Sequence, residues 1–137
     1  MSLAASISIA FPGNAADAFT FYQSVFGGDL QLFRYKDFPD MGMPDDAVAH
    51  ASLTTDTFML VGGDSIGETP STVSDVYSIM LAPDSVEAAQ ELITALTADG
   101  GEIAMPFELA PWGDHYGQVR DQFGVLWQLD VGPAQEA

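Results

Sequence analysis

The chain has 137 residues and no cysteine, a length that fits one domain and a composition that excludes disulfides, thiolate catalysis and thiolate metal sites. Twenty acidic residues face only three basic ones, a net charge of −17. Such a surface repels phosphate backbones and anionic headgroups, so no nucleic-acid or membrane partner is expected. The hydrophobic fraction of 47% can supply a core, yet no apolar run is long enough to span a bilayer. Met1–Leu3 carry no basic stretch or long apolar run, so no signal peptide is read there.

In chain order, the first segment is SISIAF, residues 6–11, with strict alternation. Ile7, Ile9 and Phe11 make one face; Ser6, Ser8 and Ala10 make the other. GNAADAFTFYQSVFGG then changes period: Ala15, Ala18, Phe19, Tyr22, Val25 and Phe26 recur at helical steps. Asn14 can cap this helix, Asp17 lies in its first turn, and Gly27-Gly28 stop it. A strand through LQLFRYK follows, then a polar loop over residues 37–46 that carries Met41 and Met43. Two strands, VAHASLTT and TFMLVGG, are joined by a tight turn near Asp56.

The pattern then restarts. VYSIML alternates, with Tyr77, Ile79 and Leu81 on one side and Val76, Ser78 and Met80 on the other. APDSVEAAQELITALTADGG is helical, with Val86, Ala89, Leu92, Ile93 and Leu96 on one stripe. Asp84 and Glu87 have capping-box spacing. Gly100-Gly101 repeat the stop signal. A strand from Glu102, a Pro-containing connection and the hairpin YGQVRD–VLWQLDV complete the chain. The same strand-helix-strand-strand-strand order thus occurs twice, over residues 5–64 and 74–131 of one domain spanning 1–137. The expected fold class is α+β: two βαβββ modules whose curved mixed or antiparallel sheets form a cup, with the helices on the outer face.

Alternation assigns the residues that face the cup. Leu53, Leu30 and Leu32 go under the helices with Ile7, Ile9 and Phe11, as do Tyr77, Ile79, Leu81, Val119, Trp127, Leu129 and Val131. The predicted lining is Ser8, Phe33, Tyr35, His50, Ser52, Ser78, Tyr116, Gln118, Arg120 and Gln128, with Trp112 near the mouth. Aromatics mixed with a few polar groups suit a small-molecule pocket; the competing reading is a face that meets solvent or a dimer partner. Arg120 either meets an anionic or carbonyl-bearing ligand or pairs with a carboxylate such as Asp121. Arg34 and Lys36 share a strand face, at the helix side or the rim. His50 points into the cup, and His115 lies at the surface or the rim. The loop 37–46 is either a lid or merely a flexible loop.

Three segments carry a resemblance: FPGNAADAFTFYQSVFGGDL at 11–30, HASLTTDTFMLVGGD at 50–64 and WGDHYGQVRDQFGVLWQLDV at 112–131. With the repeat order, they resemble the vicinal oxygen chelate superfamily, which holds glyoxalase I, bleomycin and fosfomycin resistance proteins and extradiol dioxygenases. The chain looks like its PhnB-like branch. The resemblance implies a cytoplasmic homodimer and fixes no reaction, because one fold hosts many functions. Branch members often carry a ubiquinone-pathway methyltransferase name, but no Gly-rich nucleotide loop follows a strand here.

Enzymes of the superfamily usually hold a divalent ion through His and Glu near the middle of the cup, for Lewis-acid work on a bound oxygen pair. The matching positions here fall at Ser6 or Ser8, near Leu60, at Val76 or Ser78, and at Gln128. Gln128 stands where Glu is usual, and a neutral amide is a poor ligand. No metal and no cofactor are therefore expected. No Gly-x-Ser-x-Gly elbow or patterned Ser-His-Asp set is present. The expected function is metal-independent binding of a small molecule, of the glyoxalase and bleomycin-resistance type. The alternatives are an enzyme of the superfamily with an atypical metal site and a dimeric scaffold.

Overall fold

The computed structural model describes residues 3–65 and 73–133; Met1 and Ser2, read above for a leader, lie outside them. Two compact units divide the chain, residues 1–72 and 73–137, and each is built in the same order.

In the first unit the alternating run forms β1 (Ile7–Phe11), which leads into α1 (Ala15–Phe26). Strands β2 (Asp29–Arg34), β3 (Val48–Thr54) and β4 (Met59–Asp64) follow. The sheet order is β1-β4-β3-β2, with β1 parallel to β4 and the other pairs antiparallel. Helix α1 packs across β2, β3 and β4. It buries Ala15, Ala18, Phe19 and Tyr22 against Phe11, Ala51, Leu53 and Leu60. Phe19 meets Phe11 and Tyr22 edge to face, at centroid distances of 6.0 and 5.9 Å. That geometry adds quadrupolar attraction to the area buried.

The start of α1 is held differently from the sequence expectation. Asn14 makes no side-chain cap. Instead Asp64, at the end of β4, accepts from Ala15 N at 2.8 Å through Oδ1 and from Val48 N at 2.9 Å through Oδ2. One carboxylate thus satisfies an orphan helix donor and ties the helix to β3, where negative charge also suits the helix dipole. Gly27 ends α1 in a positive-φ conformation, as the Gly pair signalled.

Two other expectations in this unit are corrected. The second strand ends at Arg34, and Tyr35 and Lys36 belong to a 3-10 turn, Tyr35–Asp37. Tyr35 therefore does not continue the strand face that carries Phe33, and Lys36 shares no strand face with Arg34. The strand stops because its pairing with β3 shifts between Phe33 and Arg34, and Tyr35 N bonds Ala47 O instead. Arg34 donates to Asp46 O at 2.5 Å and so pins the loop that follows.

The second unit repeats the plan: β5 (Ile79–Leu81), α2 (Val86–Leu96), β6 (Glu102–Leu109), β7 (His115–Arg120) and β8 (Leu126–Val131). The order is β5-β8-β7-β6, with β5 parallel to β8. Helix α2 packs on β7 and β8, over buried Val119, Trp127 and Leu129. Its N-cap is Ser85, whose Oγ accepts from Ala88 N at 3.1 Å, not Asp84. Ser fits the site because its β-region backbone brings the hydroxyl over the first turn.

Strand β5 is shorter than the alternation suggested. Tyr77 lies before it and is 84% exposed, so it does not go under a helix. Val76 is likewise outside the strand and exposed. Pro106 sits inside β6. The strand tolerates it because β6 is an edge, where a missing donor costs no ladder bond, and the register shifts around it.

The β7–β8 hairpin is organised by Asp121, the one charged residue buried among those described, at 4% exposure. Its Oδ1 accepts from Phe123 N at 2.8 Å and Val125 N at 3.1 Å, and its Oδ2 accepts from Trp127 Nε1 at 2.9 Å. Buried ionised groups survive only with such a full set of donors. Asp121 is therefore not the partner of Arg120.

Candidate functional site

Each sheet has one face under its helix and one face free of it. On the first sheet, the register lines up Ser8, Val61, Ser52 and Gln31 across all four strands of the helix-free face. Phe33 and His50 face each other on the same side, ring centroids 6.4 Å apart. Leu60 belongs to the opposite, buried face, so Val61 is the β4 residue beside Ser8. The parallel register of β1 and β4 fixes this neighbour, which alternation within one strand cannot reveal. Tyr35 lies off the sheet in its 3-10 turn.

On the second sheet the equivalent row is Met80, Gln128, Gln118 and Met105. Tyr116 and Arg120 flank Gln118 on β7 and share its face. Two side-chain hydrogen bonds order this surface. Gln118 Nε2 donates to Tyr116 Oη at 2.8 Å, and Gln128 Nε2 donates to Ser78 Oγ at 2.6 Å. Each hydroxyl accepts from an amide and keeps its own proton to give elsewhere. Each amide keeps a carbonyl oxygen as acceptor. Trp112, in the turn before β7 and 66% exposed, meets the Tyr116 ring edge to face at 5.8 Å. Arg120 donates to Gly124 O at 2.7 Å and pairs with Asp75. Of the two sequence readings for Arg120, a carboxylate partner is present, and it is Asp75.

The predicted residues thus fall on two faces. Ser8, Phe33, His50 and Ser52 share the first, and Ser78, Tyr116, Gln118, Arg120 and Gln128 gather at the second with Trp112 at its edge. His115 is not part of the second face. It pairs with Val131 on the helix side and contacts the Phe107 ring at 5.9 Å. Sequence reasoning missed Asp130, which lies opposite Tyr116 and is therefore on the helix-free face. The signal was available, since Asp130 follows Gln128 by two on the same strand.

Asp130 has its pKa raised, first by a hydrogen bond with the Asp114 side chain, then by burial, then by the Asp114 charge. Between the ordinary carboxylate value and the raised one, the folded state keeps a proton that the unfolded chain has released. This contribution favours folding at acid pH and is lost as pH rises from the ordinary carboxylate value through the raised one. Asp130→Asn should raise the melting temperature at neutral pH, with the gain vanishing below the ordinary carboxylate range. Thermal unfolding of both proteins across that window checks it; an equal gain at all pH values would contradict it.

The family model described as the Glyoxalase/Bleomycin resistance protein/Dioxygenase superfamily matches residues 7–129. The chain belongs to this superfamily. Protein PA1353 from Pseudomonas aeruginosa is 31% identical, with 96% of this chain and 99% of that one covered and a TM-score of 0.82. The PhnB protein from Bacillus cereus is 24% identical over 95% of this chain and 100% of that one, TM-score 0.76. Protein YjdN of Escherichia coli K12 is 27% identical, covering 90% of this chain and 91% of its own. Among the described residues, no helix is long and apolar enough to cross a membrane.

The divalent ion usual in this superfamily does not fit the residues present. Around Gln128 stand Met80 in register and Ser78, whose Oγ already accepts from the Gln128 amide nitrogen. Beside Ser8 stands Val61. Hydroxyl, thioether, alkyl and amide groups replace the imidazoles and carboxylates that hold such an ion. Among the described residues, no three His, Asp or Glu side chains converge.

Proposed function

We propose that this glyoxalase-superfamily chain is a metal-independent small-molecule-binding protein of the bleomycin-resistance type. Its ligand lies on the helix-free face of the second sheet. The observation that carries the reading is the pair of ordered amide–hydroxyl contacts, Gln118 with Tyr116 and Gln128 with Ser78. They preset two hydroxyl donors and two amide acceptors on one surface, which lowers the ordering cost of binding. Trp112 and Tyr116 add an aromatic wall for a planar group. The donor chemistry argues for recognition over Lewis-acid catalysis, because nothing in the Gln128 row would polarise a bound oxygen as an ion does. The segments at 11–30, 50–64 and 112–131 support placement in the PhnB-like branch, and the same reading takes the protein to be a cytoplasmic homodimer.

The test is a thermal-shift screen of EDTA-treated protein against planar aromatic fragments bearing carbonyl acceptors. Hits should weaken about fivefold in Tyr116→Phe, the loss of one hydrogen bond of about 1 kcal/mol. Hits that bind Tyr116→Phe and Gln128→Leu as tightly as the parent protein would overturn the reading. So would hits that appear only when a divalent ion is added.

A further inference from the structure

The Arg120 guanidinium is fixed by the fold, while its counter-ion is not. One nitrogen is anchored on Gly124 O at 2.7 Å, and the side chain is 18% exposed. The other nitrogen pairs with Asp75, whose side chain is 83% exposed. Asp75 lies on residues 73–77, a non-strand strap that precedes β5 and is exposed throughout. Among the described residues, two further contacts are seen at the strap. Val76 N bonds Ser74 Oγ at 3.1 Å within the strap itself, and the Val73 methyls lie over Gly124. Exposed ion pairs of this kind contribute little to stability, so a competing carboxylate faces a small penalty.

We propose, building on the binding reading above, that Arg120 is a carboxylate subsite of the second sheet's helix-free face and that Asp75 is its internal occupant. A ligand carboxylate takes the place of Asp75 on the guanidinium, and the strap 73–77 is released as it binds. Arg120 shares its face with Gln118 and Gln128, so one ligand can reach the amides with its neutral part and the guanidinium with its acid. The two groups make a matched pair: planar nitrogen donors in a fixed fork take a carboxylate's two oxygens together. Glu102, opposite Arg120 on β6 and exposed, is a further carboxylate nearby, and a ligand acid has to bind against its charge.

The experiment uses benzoate and its neutral isostere benzamide, followed by NMR of the side-chain Arg Nε–H and Gln amide signals. Benzoate should shift the Arg120 signal and move the backbone amides of residues 74–77 toward their positions in Asp75→Asn. Its affinity should rise about two- to fivefold in Asp75→Asn, the worth of one exposed ion pair, and fall by at least that much in Arg120→Gln. Benzamide should shift the Gln118 and Gln128 signals without moving Arg120 or the strap. If both compounds perturb the two glutamines alone, and Asp75→Asn binds benzoate no better, the subsite is wrong while the binding face stands. If benzoate shifts Arg120 but neither compound shifts the glutamines, the subsite stands and the wider binding reading fails. If benzoate leaves Arg120 unmoved even in Asp75→Asn, the subsite is overturned.

Discussion

Asp121→Ala is expected to cost about 3–5 kcal/mol of folding stability, among the largest losses for any single change in the chain. The carboxylate accepts from two backbone amides of the β7–β8 turn and from the buried Trp127 indole. Alanine strands all three donors, and each buried donor left unmade costs about 1–3 kcal/mol, less where water reaches the turn. Asp121→Asn keeps one acceptor oxygen and should lose roughly half as much. Urea unfolding followed by Trp fluorescence reads both. A loss under about 1 kcal/mol for the alanine variant would mean that the turn finds other partners. Because this hairpin carries Gln118, Arg120 and Gln128, the same substitution should also disorder the binding face.

Gly62→Ala is expected to cost about 3 kcal/mol for a steric reason. Gly62 lies on the helix side of β4, opposite Ile9 on β1 and Ala51 on β3. A Cβ there would press on the Ile9 carbonyl oxygen, inside van der Waals contact, and sit 3.1 Å from Phe19 Cε2. The oxygen belongs to backbone in a paired strand, so it cannot move aside without opening the β1–β4 ladder. Gly132→Ala is the control: its nearest neighbour would be Asp114 Oδ1 at 4.0 Å, and the change should stay within about 0.5 kcal/mol. Equal effects at the two glycines would show that backbone entropy, not packing, governs Gly62.

The repeat was legible because periodicity switches from two to 3.6 and back at matching places in both halves, each helix closed by a Gly pair. What failed were properties that need a second strand or a distant residue. Asp64 capping α1 joins residues far apart in the chain, so Asn14 looked like the cap from local spacing alone. That Val61 is the residue beside Ser8 needed the β1–β4 register. Tyr35 left its strand because a register shift at Phe33 and Arg34 ended the pairing, and nothing in RYK announces that. Tyr77 alternates correctly but has no strand to alternate in.

The faces fared better than the partners. Alternation on β7 and β8 put Tyr116, Gln118, Arg120 and Gln128 together because both strands are long, paired and buried on one side. Which of those groups bond each other depends on side-chain reach, and that is why the Gln118–Tyr116 and Gln128–Ser78 contacts and the Asp75 partner of Arg120 emerge only from the structure. Asp121 had looked like a candidate counter-ion by proximity in sequence. Its side chain instead lies on the other side of the turn's architecture, wholly engaged by turn amides and the Trp127 indole.

The central claim, metal-independent binding on the second sheet's helix-free face, is tested most directly by amide and side-chain NMR mapping of one fragment hit. The titration is run on EDTA-treated protein and repeated with zinc added. Shifts centred on Tyr116, Gln118, Gln128 and the Trp112 indole are expected, with the same affinity in both titrations. Shifts elsewhere, or binding that appears only with zinc, would contradict the claim.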